Sequence, residues 1–400
     1  MDTMASPAQR FVLSTLGTGG DIIPFARLAR ELLRRGHSVT VHSWALYAEW
    51  FPGAARFVAA GGGPGAEELD ETFAWALRAP AANEQARRFG RLFYGLGDGT
   101  ERARAHHHTA REAFAGHDLA VINALDHVAQ ATAELQGLRW VGYTSRPPPD
   151  PIIADGAREE IDAAVTALVA AVTGNRRRVR VFREQSPLLT LVPCSPGLVT
   201  GLPPPLVAIT GAWLEPPVPR PLAPAIESFL DEAPALLATF GTMPDVTGRT
   251  AALIAAAEKS GWRALIQVLP PAVVPAPVPP GIAIVRERIP FAVLLPRVAA
   301  VVHHGSVGTL HEVLAAGRPS FVIPHMGDQS YWAAALHRHG LGPAPVPCTA
   351  LDPALIAARL IELRDVACAF RAREFGARMA AEDGVAFAAG RLETLAAARA

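Results

Sequence analysis

Short apolar runs alternate with amphipathic segments at the amino-terminal end of the chain. The apolar run Phe11–Thr15 leads into a glycine-rich turn, and apolar residues then recur at helical spacing across residues 22–35. Gly36 suits the end of that helix, because glycine adopts the left-handed conformation that often follows the last turn. Ser38–Ser43 has the pattern of the next strand. This order predicts a β-α-β unit of a parallel sheet.

The same order returns in the second half of the chain. Ala235–Phe240 has the pattern of an apolar strand, and a turn that contains Gly241 and Thr242 follows it. Helical spacing then covers Thr250–Ser260, and Arg263–Val268 is predicted to be the next strand. Two halves that each open with strand, glycine-containing turn and helix predict an α/β protein with two Rossmann-like domains.

Between these halves lies a segment without clear periodicity. Prolines are dense from Pro187 to Pro224, which predicts an interdomain segment. Before it, strands are predicted at residues 118–123 and 138–143, with a helix at 124–135. From Ala354 to its end the chain has the pattern of helices.

Composition narrows the functional classes. With 400 residues the chain exceeds one compact core, and 50% hydrophobic against 18% charged residues is typical of a globular protein. The net charge of zero and the lack of a basic stripe argue against nucleic acid as a partner. Three cysteines form neither a disulfide framework nor a metal-ligand spacing. The sequence shows no leader pattern and no apolar run of about 18 residues, so we expect a cytoplasmic protein without stable membrane insertion.

The segment Val301–Ala333 carries the most chemistry. It is predicted to fold as strand, small-residue turn, helix and strand, followed by a loop that ends at Asp328 and Gln329. A turn of small residues before a helix exposes backbone N–H groups, and the helix amino terminus favours negative charge. The histidines at its mouth can donate to a phosphate oxygen, and a carboxylate beside an amide can hold vicinal hydroxyls. The pattern therefore suits a nucleotide diphosphate-sugar.

This segment resembles the donor-binding signature of the family 1 glycosyltransferases, which have the GT-B fold. The nearest pattern is that of bacterial sterol, macrolide and glycopeptide glycosyltransferases. The matching positions are His303, His304, Gly305, Gly308, Thr309, Asp328 and Gln329. Gly317 and Pro319, which lie between Thr309 and Asp328, also match the family pattern.

The resemblance implies an α/β GT-B protein with two Rossmann-like domains that face each other across a cleft. Residues 1–215 would bind the acceptor, residues 216–375 the nucleotide-sugar, and the helix at 376–400 would cross back to the first domain. The similarity extends over most of the chain, although it is weak from Trp44 to Phe114.

The resemblance also implies a role for each donor-site residue. The diphosphate contacts would be His304, Gly305, Gly308, Thr309 and Thr242; the ribose and base contacts would be Glu312 and Arg288; and the sugar contacts would be Asp328 and Gln329. Arg288 precedes Pro290 where plant relatives place a tryptophan that stacks on the base, so the choice between UDP and TDP stays open.

Spacing alone allows simpler interpretations of the same residues. Thr309 and Glu312 have the spacing of a capping box, with the threonine as N-cap. Asp328 and Gln329 could end a loop and cap the following helix, and Thr242 could be an ordinary turn residue.

The first glycine turn does not fit a dinucleotide fingerprint. Its third glycine position is Ile22, and the second strand ends in His42 and Ser43 rather than in an acidic residue, which argues against NAD. Asp21 and Pro24 instead match the D-x-x-P form of the glycopeptide and sterol-type relatives. The resemblance makes Asp21 the catalytic base, whereas helix capping is the simpler interpretation.

Asn123 supports the assignment of Asp21. It occupies the position at which relatives with a catalytic histidine have an aspartate that orients the imidazole. Without an imidazole to orient, no carboxylate is needed there. The histidines at 106–108 are expected on a solvated helix face or at the rim of the acceptor site, and no metal site is predicted.

The sequence thus predicts an inverting glycosyltransferase that moves a sugar from a UDP- or TDP-sugar to a hydroxyl of a small, apolar, natural-product or lipid-like acceptor. The nucleotide-sugar is a co-substrate, and neither a metal nor another cofactor is expected. A homodimer is compatible with this prediction. The alternatives are a sugar-nucleotide epimerase and a non-catalytic partner protein with the same fold.

Overall fold

The computed structural model describes residues 7–79, 84–85, 88, 100–147, 155–180, 186–214, 221–245, 247–269, 274 and 276–398. The chain divides into two compact units. Unit 1 comprises Met1–Cys194, Gly201–Trp213 and Asp383–Ala400, and unit 2 comprises Ser195–Thr200 and Leu214–Glu382. Each unit is built around its own parallel sheet.

The sheet of unit 1 has the order β3-β2-β1-β4-β5-β6-β7, and every neighbouring pair is parallel. Its strands are β1 (Arg10–Ser14), β2 (Ser38–Ser43), β3 (Arg56–Ala59), β4 (Leu119–Asn123), β5 (Trp140–Tyr143), β6 (Thr190–Val192) and β7 (Val207–Ile209). All five residues of β4 are buried, which explains why the central strands appear in the sequence as continuous apolar runs rather than alternating ones.

The helices of unit 1 that precede the crossover into unit 2 are α1 (Gly19–Arg34), α2 (Ala66–Leu77), α3 (Thr100–Phe114), α4 (His127–Leu135) and α5 (Asp155–Thr173). α1 buries Ile22, Phe25, Leu28 and Leu32 along one face, as its sequence spacing predicts. It ends where predicted, because Gly36 has φ of +88° and can adopt the left-handed conformation after the last turn.

The proline-rich segment contains more regular structure than its sequence indicates. β6 and β7 lie inside it and extend the first sheet, whereas the sequence predicted only an interdomain segment. Strands of three residues are too short to show alternation, and edge strands tolerate prolines. The chain does pass between the two units in this segment, at residues 194/195, 200/201 and 213/214.

The sheet of unit 2 has the order β10-β9-β8-β11-β12 and is also parallel. Its strands are β8 (Ala235–Thr239), β9 (Arg263–Gln267), β10 (Ile282–Val285), β11 (Ala300–His303) and β12 (Ser320–Val322). Its helices are α6 (Pro224–Glu232), α7 (Arg249–Ser260), α8 (Phe291–Leu294), α9 (Val307–Ala315), α10 (Gln329–Arg338), α11 (Pro353–Glu362) and α12 (Val366–Met379). These two sheets confirm the predicted α/β class with two Rossmann-like domains.

The last helix, α13 (Gly384–Ala397), packs within unit 1. Glu393 on this helix binds the side chains of Arg35 (2.9 Å) and His37 (2.8 Å), and its carbonyl accepts a bond from Gln9. Arg35 lies just after α1, so the helix is held to the amino-terminal part of the chain by both charge and backbone contacts. In the part of the chain that the structure describes, we find no helix with the length and apolarity that a bilayer crossing requires.

Candidate functional site

The predicted diphosphate contacts follow the central strands of the second sheet, whereas Arg288 follows the edge strand β10, and Asp328 and Gln329 follow the edge strand β12. β8 and β11 are neighbours, and the chain runs outward from them in opposite directions, through β9 on one side and β12 on the other. The carboxyl ends of two such strands form the edge at which ligands bind in open parallel sheets. Phe240–Met243 follows β8 at this edge, and His304–Ser306 follows β11.

The two adjacent histidines have different environments. His303 is fully buried and accepts a hydrogen bond from the backbone N–H of Gly305 at its Nδ1 (3.0 Å). Its side chain therefore shapes the turn, as the opposite orientation of neighbouring strand residues predicts. His304 is 5% exposed, and its Nδ1 is buried with no hydrogen-bond partner among the described residues. A Cβ added to Gly241 would lie 3.4 Å from His304 Cε1, so the turn after β8 packs against this imidazole.

Both histidines are neutral in the free protein. Burial lowers the pKa of His303 to about 3. Burial also lowers the pKa of His304 well below its usual value, and the positive charge of Arg249 adds to this effect. His304 can thus donate one N–H bond to a phosphate oxygen, and a nearby anion would favour its protonation.

The amino terminus of α9 presents free backbone donors. Ser306 is the N-cap residue, but its side chain makes no capping bond; its hydroxyl instead donates to Thr309 Oγ1 (3.1 Å). The first turn contains no acidic residue. Thr309 is the third residue of the helix, so the capping box with Thr309 as N-cap is wrong: α9 begins three residues earlier than that spacing assumed. Glu312 is half-buried in the next turn.

Gly305 and Gly308 serve different steric purposes. Gly305 has φ of +94°, and a Cβ on it would lie 2.7 Å from Val322 Cγ1, so only glycine fits at this position. At Gly308 a Cβ would meet no atom within 4 Å, which leaves the first turn of α9 uncovered at this point. Thr242 is exposed in the turn after β8, and Arg288 is exposed after β10.

The Asp328–Gln329 pair lies where α10 begins. Asp328 is the N-cap residue, and its Oδ2 accepts a bond from Trp332 Nε1 (3.2 Å) rather than capping the helix. Gln329 is buried, and its Oε1 accepts bonds from the backbone N–H groups of His325 (2.8 Å) and Met326 (3.2 Å). Gln329 thereby fixes the preceding loop in this state of the protein.

Two further residues of this region were missed in the sequence. Arg249, the first residue of α7, is 5% exposed, and its guanidinium contacts His325 in the loop before α10. Sequence reasoning gave no signal for Arg249, because an arginine at the start of a helix is usually solvated. His325 lies three residues after the end of β12 in the predicted donor segment, and that position was the available signal.

The equivalent edge of unit 1 holds Asp21. β1 and β4 are neighbours at the point where the strand order reverses, and the turn 15–18 leads from β1 into α1. Asp21 is the third residue of α1, and its Oδ2 accepts a bond from the backbone N–H of Thr18 (2.9 Å), which completes a capping box. A Cβ on Gly17 would lie 2.3 Å from this oxygen, so the turn closes tightly over the carboxylate.

Asn123 stabilises the same turn through bonds to residues other than the Asp21 carboxylate. Its Nδ2 donates to Thr15 Oγ1 (3.2 Å), and Thr15 Oγ1 in turn donates to the carbonyl of Asp21 (3.1 Å). The Asn123 Oδ1 accepts from Leu125 N–H. Asn123 is therefore linked to Asp21 through Thr15 and stabilises the backbone of Asp21.

Below this edge lies a buried polar cluster. Asp126 accepts bonds from Ser14 (2.8 Å) and pairs with His106 Nε2 (2.7 Å). His42 contacts Ser14 through Nδ1 (3.0 Å) and Thr109 through Nε2 (3.0 Å). Burial lowers the pKa of His42 to about 3. His106 is thus a buried partner of Asp126, and the expectation that residues 106–108 form a solvated face is wrong for it; only His108 is largely exposed.

Three groups of this cluster have the types and spacing of metal ligands. Ligand atoms of His42, His106 and Asp126 all lie within 4.8 Å of one another. Both nitrogens of His42 already contact hydroxyls, and His106 Nε2 is bonded to the aspartate. The cluster is therefore a hydrogen-bond network that joins β1, β2, α3 and the start of α4, in which His106 Nδ1 is buried without a partner among the described residues.

Comparisons with known proteins find similar sequences over part of the chain. Residues 272–395 match the family model of the Erythromycin biosynthesis protein CIII-like, C-terminal domain. An O-mycaminosyltylonolide 6-deoxyallosyltransferase of Streptomyces fradiae is 36% identical over 183 residues, which cover 44% of this chain and 42% of that protein. A vancomycin aglycone glucosyltransferase of Amycolatopsis orientalis is 35% identical over 180 residues, or 43% of this chain and 44% of that protein. The chain thus spans less than half the length of these curated relatives.

Solved structures match along nearly the whole chain. The calicheamicin glycosyltransferase CalG4 superimposes with a TM-score of 0.71 at 22% identity, over 97% of this chain and 98% of its own. The Streptomyces sp. SF2575 glycosyltransferase SsfS6, complexed with thymidine diphosphate, gives a TM-score of 0.67 at 20% identity, over 96% and 99%. The chain therefore has the GT-B fold of these structures, and part of its sequence is similar to those of natural-product glycosyltransferases.

Proposed function

We propose that this protein transfers a sugar, with inversion, from a UDP- or TDP-sugar to a hydroxyl of a small apolar acceptor. Its relatives by sequence are named as transferases that act on a macrolide and on the vancomycin aglycone. One structural neighbour was solved with thymidine diphosphate. We keep the cytoplasmic location that the sequence predicts.

The observation that carries the proposal is the arrangement of anion-binding groups at the carboxyl ends of β8 and β11 in unit 2. The uncapped amino terminus of α9 offers backbone N–H groups and the positive end of a helix dipole. His304, beside it, has a buried Nδ1 with no partner among the described residues. A diphosphate placed here would receive bonds from both, with Gly305, Gly308, Thr309 and Thr242 as the surrounding contacts. Neutralisation by these groups would make a divalent metal unnecessary.

The remaining donor contacts follow the family assignment. Glu312 would hold the ribose and Arg288 the base, and Asp328 and Gln329 would bind sugar hydroxyls. For Gln329 this requires the amide to rearrange, because its Oε1 now accepts two backbone bonds. The Asp328 carboxylate accepts a bond from Trp332 at its Oδ2.

In the proposed reaction Asp21 accepts the proton of the acceptor hydroxyl. The acceptor oxygen forms a bond to the anomeric carbon as the bond from that carbon to the diphosphate oxygen breaks on the opposite face. The electron pair leaves with the nucleoside diphosphate, whose charge is stabilised by His304 and α9. The bond from the backbone N–H of Thr18 would orient the Asp21 carboxylate for this step.

The test is nucleotide binding by isothermal titration calorimetry in the presence of EDTA. We expect UDP or TDP to bind with micromolar affinity, and GDP and NAD to bind much more weakly. Transfer is then measured with the corresponding sugar nucleotide and a panel of apolar hydroxylated acceptors. Binding of none of the diphosphates would contradict the donor site. Interconversion of the sugar nucleotide without an acceptor would indicate an epimerase instead.

A further inference from the structure

A buried arginine in unit 2 has no part in the predicted chemistry. Arg249 is 5% exposed, and its Nε is buried without a hydrogen-bond partner among the described residues. Burial lowers its pKa to about 10, although Asp245 partly opposes the shift. Burying a guanidinium is costly unless its position serves a purpose.

The contacts of Arg249 connect two loops. Its Nη2 donates to the carbonyl of Met243 (3.2 Å), and its Cζ lies 3.9 Å from the ring centroid of Phe240, so the guanidinium grips the turn after β8. Its Nη1 donates to His325 Nε2 (2.5 Å) in the loop before α10. One side chain therefore joins the turn 240–243 to the loop 323–328.

His325 can accept this bond in only one state. Its Nδ1 lies 2.7 Å from the carbonyl of Ile323, and a carbonyl can only accept, so Nδ1 carries the hydrogen. The guanidinium can only donate, so Nε2 of the imidazole must carry the lone pair. Burial and the charge of Arg249 lower the pKa of His325 to about 3, which agrees with the neutral form. His325 is thus a fixed acceptor that orients Arg249.

Both joined segments touch the proposed diphosphate site. The turn 240–243 packs against His304 through Gly241. The loop carries the backbone N–H groups bound by Gln329, whose Nε2 also contacts Met243 Sδ (3.8 Å). Arg249 therefore lies behind two walls of the site and adds positive charge to it.

We propose that Arg249 is a positioning residue of the donor site, which, with His325 as its fixed acceptor, holds the turn 240–243 and the loop 323–328 in the geometry that binds the diphosphate. The proposal rests on the proposed function, because it concerns the same donor site. It predicts that Arg249 affects recognition of the diphosphate and leaves recognition of the nucleoside unchanged.

The experiment compares R249M, R249K, H325F and H325Q with the unsubstituted protein by calorimetric titration with UDP, TDP, uridine and thymidine. R249M should weaken binding of the preferred diphosphate about 10-fold and leave nucleoside affinity unchanged. R249K should recover part of the loss because it retains the charge. H325F should resemble R249M, H325Q should lie closer to the unsubstituted protein, and R249M/H325F should be no worse than either single variant.

The chain offers a matched control in Arg263. Like Arg249, this residue donates two hydrogen bonds, here to the carbonyls of Phe229 and Ala233, and its guanidinium lies 4.1 Å from the ring centroid of Phe229. It stands at the amino-terminal end of β9, opposite the strand ends that carry the proposed site. R263M should lower the melting temperature without changing diphosphate affinity.

Three outcomes overturn the proposal: unchanged diphosphate affinity in folded R249M, equal losses for nucleoside and diphosphate, or equal effects of R249M and R263M. If R249M does not fold, the diphosphate and nucleoside affinities of H325F and H325Q test the proposal instead, because both variants keep Arg249. Failure of the unsubstituted protein to bind any nucleoside diphosphate would contradict the proposed function itself, which is a different result.

Discussion

Each of the two glycine turns of this protein follows one of the two strands between which its sheet order reverses, β1 in unit 1 and β11 in unit 2, and the turns differ in charge. Thr18-Gly19-Gly20-Asp21 opens α1 after β1, and Ser306-Val307-Gly308-Thr309 opens α9 after β11. In each, a hydroxyl residue is the N-cap and the fourth residue is the third of the helix. In unit 1 that residue is an aspartate that binds its own helix terminus; in unit 2 it is a neutral threonine.

The difference separates the two kinds of chemistry. A helix terminus that is already satisfied by Asp21 has no need of an external anion, and it keeps a carboxylate fixed at the edge of unit 1. A terminus without an acid, beside His304 and in front of Arg249, favours an external anion. The third residue of the helix thus distinguishes a terminus that carries its own negative charge from one that can bind an external anion.

Removing the negative charge of the Asp21 carboxylate in unit 1 should have the largest effect on activity. In D21N the amide oxygen can still accept the bond from Thr18, so the turn is retained while the base is lost. We expect kcat for sugar transfer to fall about 10²- to 10⁴-fold, with diphosphate affinity unchanged. Steady-state kinetics and calorimetry measure the two quantities.

Asp383 provides the control for D21N. It caps α13 through a bond to Ala386 N–H (3.0 Å), and asparagine is an equally good N-cap. D383N should therefore leave kcat unchanged. A D21N enzyme with turnover close to that of D383N would show that Asp21 is a helix-capping residue and not the base.

Placing the aspartate of the first turn in the second should have the next largest effect. T309D gives α9 the serine and aspartate of a capping sequence, so the helix terminus would bind its own carboxylate instead of a diphosphate. We expect diphosphate affinity to fall about 100-fold because of like-charge repulsion. Nucleoside affinity should stay the same, and the melting temperature should stay the same or rise slightly.

L355D tests whether added charge alone explains such a loss. Leu355 is the third residue of α11, is 37% exposed, and lies in a first turn that also contains no acidic residue. It thus receives the same charge at the same helix position. If T309D and L355D weaken the diphosphate equally, or T309D has no effect, then the terminus of α9 is not the anion site.

The smallest expected effect is the uptake of protons when the diphosphate binds. Because the pKa of His304 lies well below its usual value in the free protein, the ring is neutral near pH 7. A bound diphosphate favours the protonated ring and raises this pKa, so binding should take up a fraction of a proton, and affinity should increase as the pH falls toward 6.

Calorimetry in two buffers of different ionisation enthalpy measures this uptake, with H304Q as the reference that removes the titrating ring. The phosphate groups of the ligand contribute equally to both proteins, so the difference belongs to His304. Equal uptake by both proteins, or release of protons, would show that His304 does not face the diphosphate.

Long periodic elements were well predicted from the sequence, and short ones were not. The helix after Gly19 and strand β2 were found because their apolar spacing extends over whole elements. β6 and β7 were hidden by their three-residue length and by flanking prolines. The capping-box interpretation of Thr309 would have started α9 three residues late, because a threonine followed by a glutamate three positions on has the same local spacing whether or not it begins a helix.

What the sequence by itself determined is the succession of strands, turns and helices and the residue types at each strand end, since these depend on local spacing. Only the tertiary structure decided which strand ends meet and which charges are buried. Asp126 and His106 pair across two elements, and Arg249 reaches His325 from 76 positions away in the chain. Such contacts depend on sheet order and on burial, and burial sets the protonation of His304 and His325, which no local pattern records.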